Sequence, residues 1–327
     1  MSYSILLRLR KYGFNFRGKT KDITFLADHS NPTFFGYHDK TPFSADGSKI
    51  LAMSIATSDK KPESECTPMK LGCFTINEVG EVAEHFTSFA ETTTWCFQQG
   101  CMLQWHPLYP NSRVIFNTLV NGKYGSKVYD IEKQEVISEY NHPIYSIDPN
   151  GRYAATLNFA RLGRLRPGYG YSLLPDTTEG IAAPASDGLL LLDLESGKTK
   201  MLVSLEKLAF DNGNPSDEHY INHASFSPDG KKLVFFHIWL TEQKKRKIRF
   251  CYFDLQSNSY QVLEQKKIVS HFCWINASQI LASTKAPEEN MKLTIYNLAK
   301  GSSEEVFDLP YGDTHPMRSP TNENLFI

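Results

Sequence analysis

One pattern recurs along this chain: an alternating apolar stretch, a turn rich in Pro, Asp, Asn, Gly or Ser, then a second apolar stretch. It reads YHDKTPFSADGSKILAM around His38, NHASFSPDGKKLVFFH around His223, SHFCWINASQILAS around His271 and THPMRSPTNENLFI around His315. QWHPLYPNSRVIFN around His106 is a looser copy, and IYSIDPNGRYAATL repeats the pattern without a histidine. Side chains alternate faces along a strand, so each copy is a hairpin with a buried face. Hairpins recurring in units of about 40–50 residues, four strands to a unit, predict an all-β chain folded as a β-propeller of four-stranded blades. The first strand of each blade lines the axis. A histidine at the start of that strand, blade after blade, gathers imidazoles around one channel.

The units run over about Phe35–Asn77, Gln99–Tyr140, Ile144–Val203, Asn222–Leu263 and Ser270–Phe307, and a partial sixth starts at Asp313. Residues 1–34 are read as an N-terminal segment whose stretch Asp22–Leu26 can supply a closing strand, and residues 35–327 as the propeller domain. A blade short of two strands leaves sheet edges open. The half unit at the end is therefore read as a ring shortened at its C-terminal side. No helix-period segment of useful length interrupts the middle of the chain.

With 41% hydrophobic residues in 327, there is ample material for one large core. The net charge of −1 removes any global pull toward nucleic acid or membrane. The basic run Lys244–Lys247 sits between two apolar stretches and reads as a solvated loop tip. The six cysteines form no CxxC pair and suit a reducing compartment, without a disulfide or zinc framework. The N-terminal apolar run is interrupted by arginines, and no stretch reaches the roughly 20 apolar residues of a membrane span. A cytoplasmic location is expected. Oligomeric state is not legible.

Connections between second and third strands share a rim with the start of the first strand. The longest, Asn158–Asp187, carries Arg161, Arg164, Arg166, Tyr169 and Tyr171 within 11 residues. A long loop on a rigid scaffold is where binding residues collect. Guanidiniums beside histidines suit an anion such as a carboxylate, sulfate or phosphate. The competing reading pairs these arginines with Asp176, Glu179 and Asp187 in the same loop. His223, His271 and His315 hold equivalent blade positions, which admits a divalent metal of the manganese or zinc class. Carboxylate partners at those positions are missing from the pattern. His219 and His237 can join the same rim, whereas His29, His85 and His142 fall outside the pattern and read as surface residues. Trp95 and Trp105 read as core in preference to sugar platforms.

The segments FFGYHDKTPFSADG, QQGCMLQWHP, TLNFARLGRLRPGYGY, INHASFSPDGKKLVFFH and DTHPMRSP together resemble the β-propeller polysaccharide lyases of the oligogalacturonate and ulvan lyase type. The resemblance spans most of the chain and implies about seven blades in the full family ring. It implies β-elimination on uronate-containing oligosaccharides. That chemistry needs a neutralised carboxylate, a base for the adjacent C5 proton and an acid for the leaving oxygen. The catalytic candidates are His106, Arg166, Tyr169, Tyr171 and His223. The substrate-binding candidates are His38, Gln104, Arg161, Arg164 and His237. The oligogalacturonate type implies a metal on His223, His271 and His315. The alternative is a non-catalytic propeller that binds a glycan or a protein in a surface-polysaccharide pathway, since a propeller alone decides no function.

Overall fold

The computed structural model describes residues 26, 28, 31–56, 67–77, 82, 85–212, 214–310 and 312–318. Five four-stranded antiparallel sheets follow one another along the chain, each a meander in which sequence neighbours are spatial neighbours. They span Thr33–Thr92, Gln104–Tyr140, Ser146–Ser204, Glu218–Glu264 and Ile268–Leu309. The protein is thus an all-β propeller of four-stranded sheets. The last strands of the second and fifth sheets, Glu135–Tyr140 and Ser302–Leu309, are largely solvated. The middle strands are buried on both faces and read as near-continuous apolar runs, such as KLVFFHIWL over Lys232–Leu240.

Four of the inner hairpins close in the same way. The amides of Ser44, His106, Asp148 and Ser227 bond the carbonyls of Lys49, Arg113, Tyr153 and Lys232, and each of those four residues accepts from the amide three further on. Ser44 and Ser227 add a hydroxyl bond to Asp46 and Asp229, the physical content of the Ser-x-Asp-Gly signature. Gly47, Gly151 and Gly230 then take the left-handed conformation that ends the turn.

The repeat boundaries differ from the sequence expectation in two places. The first unit does not end at Asn77, because an outer strand, Thr87–Thr92, completes its sheet. The inner strands of the fourth and fifth sheets start earlier than expected, at Glu218 and Ile268, which places His223 and His271 well inside them. Two short helices appear where none was expected, Phe159–Leu165 and Leu205–Asn212. Asp22–Phe25 and most of the partial sixth unit lie outside the described residues. No helix among the described residues is long and apolar enough to cross a membrane.

The core runs in one large cluster through the third, fourth and fifth sheets, with aromatic contacts such as Phe236–Phe272 and Phe250–Tyr296 joining the last two. A second cluster joins the first two sheets around Met53, Trp95 and Trp105. Both indoles donate to backbone carbonyls, of Thr67 and Pro42 respectively, as core tryptophans do. No disulfide joins the described cysteines. Lys244–Lys247 is exposed, with Lys244 and Lys245 in the loop and Arg246 and Lys247 opening the strand Arg246–Asp254.

Candidate functional site

His223, His271 and His315 meet at the axis, joined by His38 and organised around Tyr37. The ring centroids of His271 and His315 lie 3.8 Å apart, and His38 stands 4.7 Å from His315 and 5.2 Å from His271. Tyr37 stacks on His223 at 4.8 Å and lies 6.2 Å from His271. Local backbone explains the aim of the two strand histidines. Each sits at an interruption of strand register, between Asn222 and Ser225 and between Val269 and His271. Such bulges turn a side chain out of the regular alternation. His223 is further set by a left-handed backbone, φ 55°.

Charge gathers around these rings. Arg166 stacks on Tyr169 at 3.6 Å, and Tyr169 meets His223 edge-on. Lys40 pairs with Asp39 at 3.0 Å and lies 5.0 Å from the Tyr145 ring. Asp313 accepts from the hydroxyls of Ser270 (2.6 Å) and Ser283 (2.7 Å) and the amide of Thr314, and its second oxygen faces His271 Nδ1 at 3.3 Å, off the line of a full hydrogen bond. Despite the opposing effect of burial, those donors hold the Asp313 carboxyl down at about 2. Burial drives His38 down to about 4, and lowers His223 and His315 as well, so these rings are neutral near pH 7. Both ring nitrogens of His38 and the Nε of Arg166 are buried without a hydrogen-bond partner among the described residues. Burying polar groups unpaired is costly, and it marks a place where a ligand or water completes the bonding.

The other candidates sit elsewhere. His106 occupies the turn position held by Ser44, Asp148 and Ser227, at the opposite end of its strand from the axial cluster, so its apparent alignment with His223 is four residues out of register. The residue in true register is Met102, which shares the left-handed backbone of His223. Tyr171 is 1% exposed, stacked on Phe159 and bonded to Asn117. Gln104 donates to the carbonyls of Met102 and Tyr145. Arg161 is also 1% exposed and donates to the carbonyls of His219, Thr178, Ile181 and Ala182. Arg164 bridges Asp176 (3.0 Å) and Glu218 (2.7 Å). Arg164 therefore follows the ion-pair reading, Arg161 stands 3.8 Å from Asp176 but spends most of its donors on carbonyls, and Arg166 alone turns toward the histidines.

His237 is wholly buried in a separate chain of hydrogen bonds, which carries it away from the axis. Arg249 Nε lies 3.2 Å and Nη2 2.9 Å from His237 Nδ1. His237 Nε2 meets His219 Nδ1 at 2.7 Å, and His219 Nε2 meets the Asn214 carbonyl at 2.7 Å. Arginine can only donate, so every tautomer in this chain is set by Arg249. His85 is exposed, His142 partly buried, and His29 lies outside the described residues.

Sequence reasoning missed Asp313, Tyr145 and the organising role of Tyr37. The motifs YHDK and DTHP held two of these beside named histidines, but nothing local shows that Asp313 turns back onto His271. The excursion that delivers Arg166 is built on glycine. An added Cβ on Gly170 would overlap Gly163 N and Phe159 O, and one on Gly163 would overlap the Tyr171 backbone. Gly170→Ala is expected to destabilise by about 1–3 kcal/mol in denaturant unfolding. An unchanged midpoint would show that this backbone packing is slack.

The residue types of the expected metal set, His223, His271 and His315, with His38 and Asp313 beside them, suit a manganese or zinc class ion. Their arrangement does not: the His271 and His315 rings pack against each other, and among the described residues no three His, Cys, Asp or Glu side chains are disposed to hold a metal.

No protein-family model matches the chain, and no curated protein does. Among solved structures it is similar to TolB from Acinetobacter baumannii, at 14% identity and TM-score 0.44 over 84% of this chain and 56% of that one. It is similar to an oligogalacturonate lyase in complex with manganese, at 12% identity and TM-score 0.41 over 89% and 85%. It is also similar to prolyl endopeptidases, at 11% identity and TM-score 0.48 over 88% and 37%. The chain spans about half the length of the TolB it matches and about a third of the prolyl endopeptidase. Likeness at this level concerns the fold alone.

Proposed function

We propose that the protein is a carbohydrate-active propeller that binds an acidic, uronate-containing oligosaccharide at the axial histidine cluster and cleaves it by β-elimination. One observation carries this reading: four histidines converge with the inward-turned Arg166, and both ring nitrogens of His38 and the Arg166 Nε have no hydrogen-bond partner among the described residues. Neutral imidazoles are competent to accept or donate a proton, and an arginine without a carboxylate partner among the described residues can take the ligand's.

In the proposed reaction Arg166 pairs with the uronate carboxylate, which makes the C5 proton more acidic. A neutral histidine removes that proton. The electron pair left on C5 forms the C4=C5 double bond as the C4–O bond breaks, and the leaving oxygen takes a proton from a second group. No step runs through a metal, and divalent ions enter only as an arm of the test.

The test is a screen of uronate oligosaccharides with the purified full chain, with and without manganese or zinc, following the ultraviolet absorbance of the unsaturated product. Cleavage of at least one substrate is expected, and Arg166→Gln should lower kcat/KM by about a hundredfold with an unchanged unfolding midpoint. Binding without absorbance would replace this reading with the non-catalytic glycan-binding one. No binding to any acidic glycan would overturn both.

A further inference from the structure

The polarity of the axial cluster follows from one backbone amide. The His223 N–H donates to Asn222 Oδ1 at 2.9 Å, which fixes the orientation of the Asn222 amide. Gln99 faces that oxygen at 3.5 Å, so it must present its Nε2 there, because its own oxygen would be repelled. The same Nε2 lies 2.6 Å from the Tyr145 hydroxyl and donates to it. Tyr145 then has its own proton for one acceptor, His223 Nδ1, at 3.0 Å. An imidazole that accepts at Nδ1 in its neutral form carries its proton on Nε2. His223 is 5% exposed, and its Nε2 bonds nothing among the described residues.

His271 is set the other way. Asp313 Oδ1 is occupied by two hydroxyls and an amide, and Oδ2 faces His271 Nδ1 at 3.3 Å. A nitrogen lone pair this close to a carboxylate would be repelled even off the hydrogen-bond line, so the proton sits on Nδ1 and the lone pair is left on Nε2. Tyr37 lies against both rings.

We propose that the cluster holds His223 and His271 in opposite tautomers, His223 as an N–H donor and His271 as a lone-pair acceptor, on either side of Tyr37. A ligand in the site then meets a donor and an acceptor of fixed polarity. The sugar that fits presents a carboxylate or ether oxygen to His223 and a hydroxyl or an acidic C–H to His271. Gln99, Tyr145 and Asp313 are positioning residues, acting through the rings they orient. The proposal rests on the axial cluster being the ligand site, and it assigns the base of the proposed elimination to His271 and the hydrogen-bond donor to His223.

Side-chain nitrogen spectra of the full chain labelled at histidine, in mildly alkaline buffer, read tautomers without any substrate. The expected pattern is a protonated Nε2 on His223 and a protonated Nδ1 on His271. Tyr145→Phe is expected to mix the His223 tautomers and leave His271 unchanged. Asp313→Asn, whose amide can donate to Nδ1, is expected to move the His271 proton to Nε2. The same tautomer on both rings, or no response to either change, would overturn the proposal. For ligand contact, His223→Gln keeps a donor and is expected to bind a uronate oligosaccharide within about threefold of the parent, while His223→Leu loses about tenfold or more. Equal binding by both variants would remove His223 from the ligand's contacts. If instead the tautomers are opposite and no acidic sugar binds the parent chain, the functional reading fails while the polarity of the cluster stands.

Discussion

Replacing Arg161 by glutamine is expected to destabilise the protein by about 3–5 kcal/mol, whereas the same change at Arg166 should leave stability within about 0.5 kcal/mol. The two residues stand five apart in the longest loop, yet their surroundings are opposite. The Arg161 guanidinium is buried and spends its donors on carbonyls of its own loop and of the neighbouring sheet, with Nε reaching His219 O at 2.6 Å and Nη2 reaching Ala182 O at 2.6 Å. It also stands 3.8 Å from the buried Asp176. Glutamine offers two N–H bonds in place of five and no charge, so several carbonyls and part of a carboxylate lose their partner. Denaturant unfolding reads the difference directly. A midpoint for Arg161→Gln within about 1 kcal/mol of the parent would show that the loop stands without its staple.

Acid is expected to unfold the protein between about pH 6.5 and pH 4, through its histidines. Burial holds His38, His106, His142, His219, His223, His237 and His315 below the ordinary value of about 6.5, and His38 falls to about 4. Above 6.5 these rings are neutral in both folded and unfolded chains, so they exert no pH-dependent pull. As pH falls, the unfolded chain takes up protons that the folded chain refuses, and stability drops by up to about 1.4 kcal/mol per pH unit for each such ring. The loss from His38 alone is complete below about pH 4, once both states are protonated. His38→Leu is expected to shift the acid midpoint to lower pH, because it removes one proton uptake from the unfolded state. Stability that stayed flat down to pH 4 would contradict the lowered values of these seven rings.

The architecture was largely legible because its signals are local. Period-two alternation and Ser-x-Asp-Gly turns are read within a single hairpin, and the predicted units from Gln99 onward coincide closely with the observed sheets. Unit one was cut short because its outer strand, TSFAET, alternates weakly and stays mostly solvated. The candidate cluster was legible by residue type and half legible by place. His38, His223, His271, His315, Arg166 and Tyr169 came together. His106 was misplaced because a histidine just ahead of the turn's Tyr109–Pro110 looks like the strand histidines until the turn hydrogen bonds are counted. Tyr171, Gln104, Arg161, Arg164 and His237 have the right chemistry and are used to hold the fold.

What the sequence by itself determined is the repeated hairpin, hence the sheets, their order and the line of histidines brought toward one axis. These follow from side-chain periodicity and turn chemistry, which act over a few residues. Only the tertiary structure decided which polar groups remain available. Arg161 finds carbonyls delivered by the neighbouring sheet and its own loop, and Arg166, five residues later, finds Tyr169 and His223. His237 finds Arg249 across its own sheet, and His271 finds Asp313 beyond the last strand. A buried polar side chain takes whatever partner packing places within hydrogen-bond reach, and that partner comes from elsewhere in the chain.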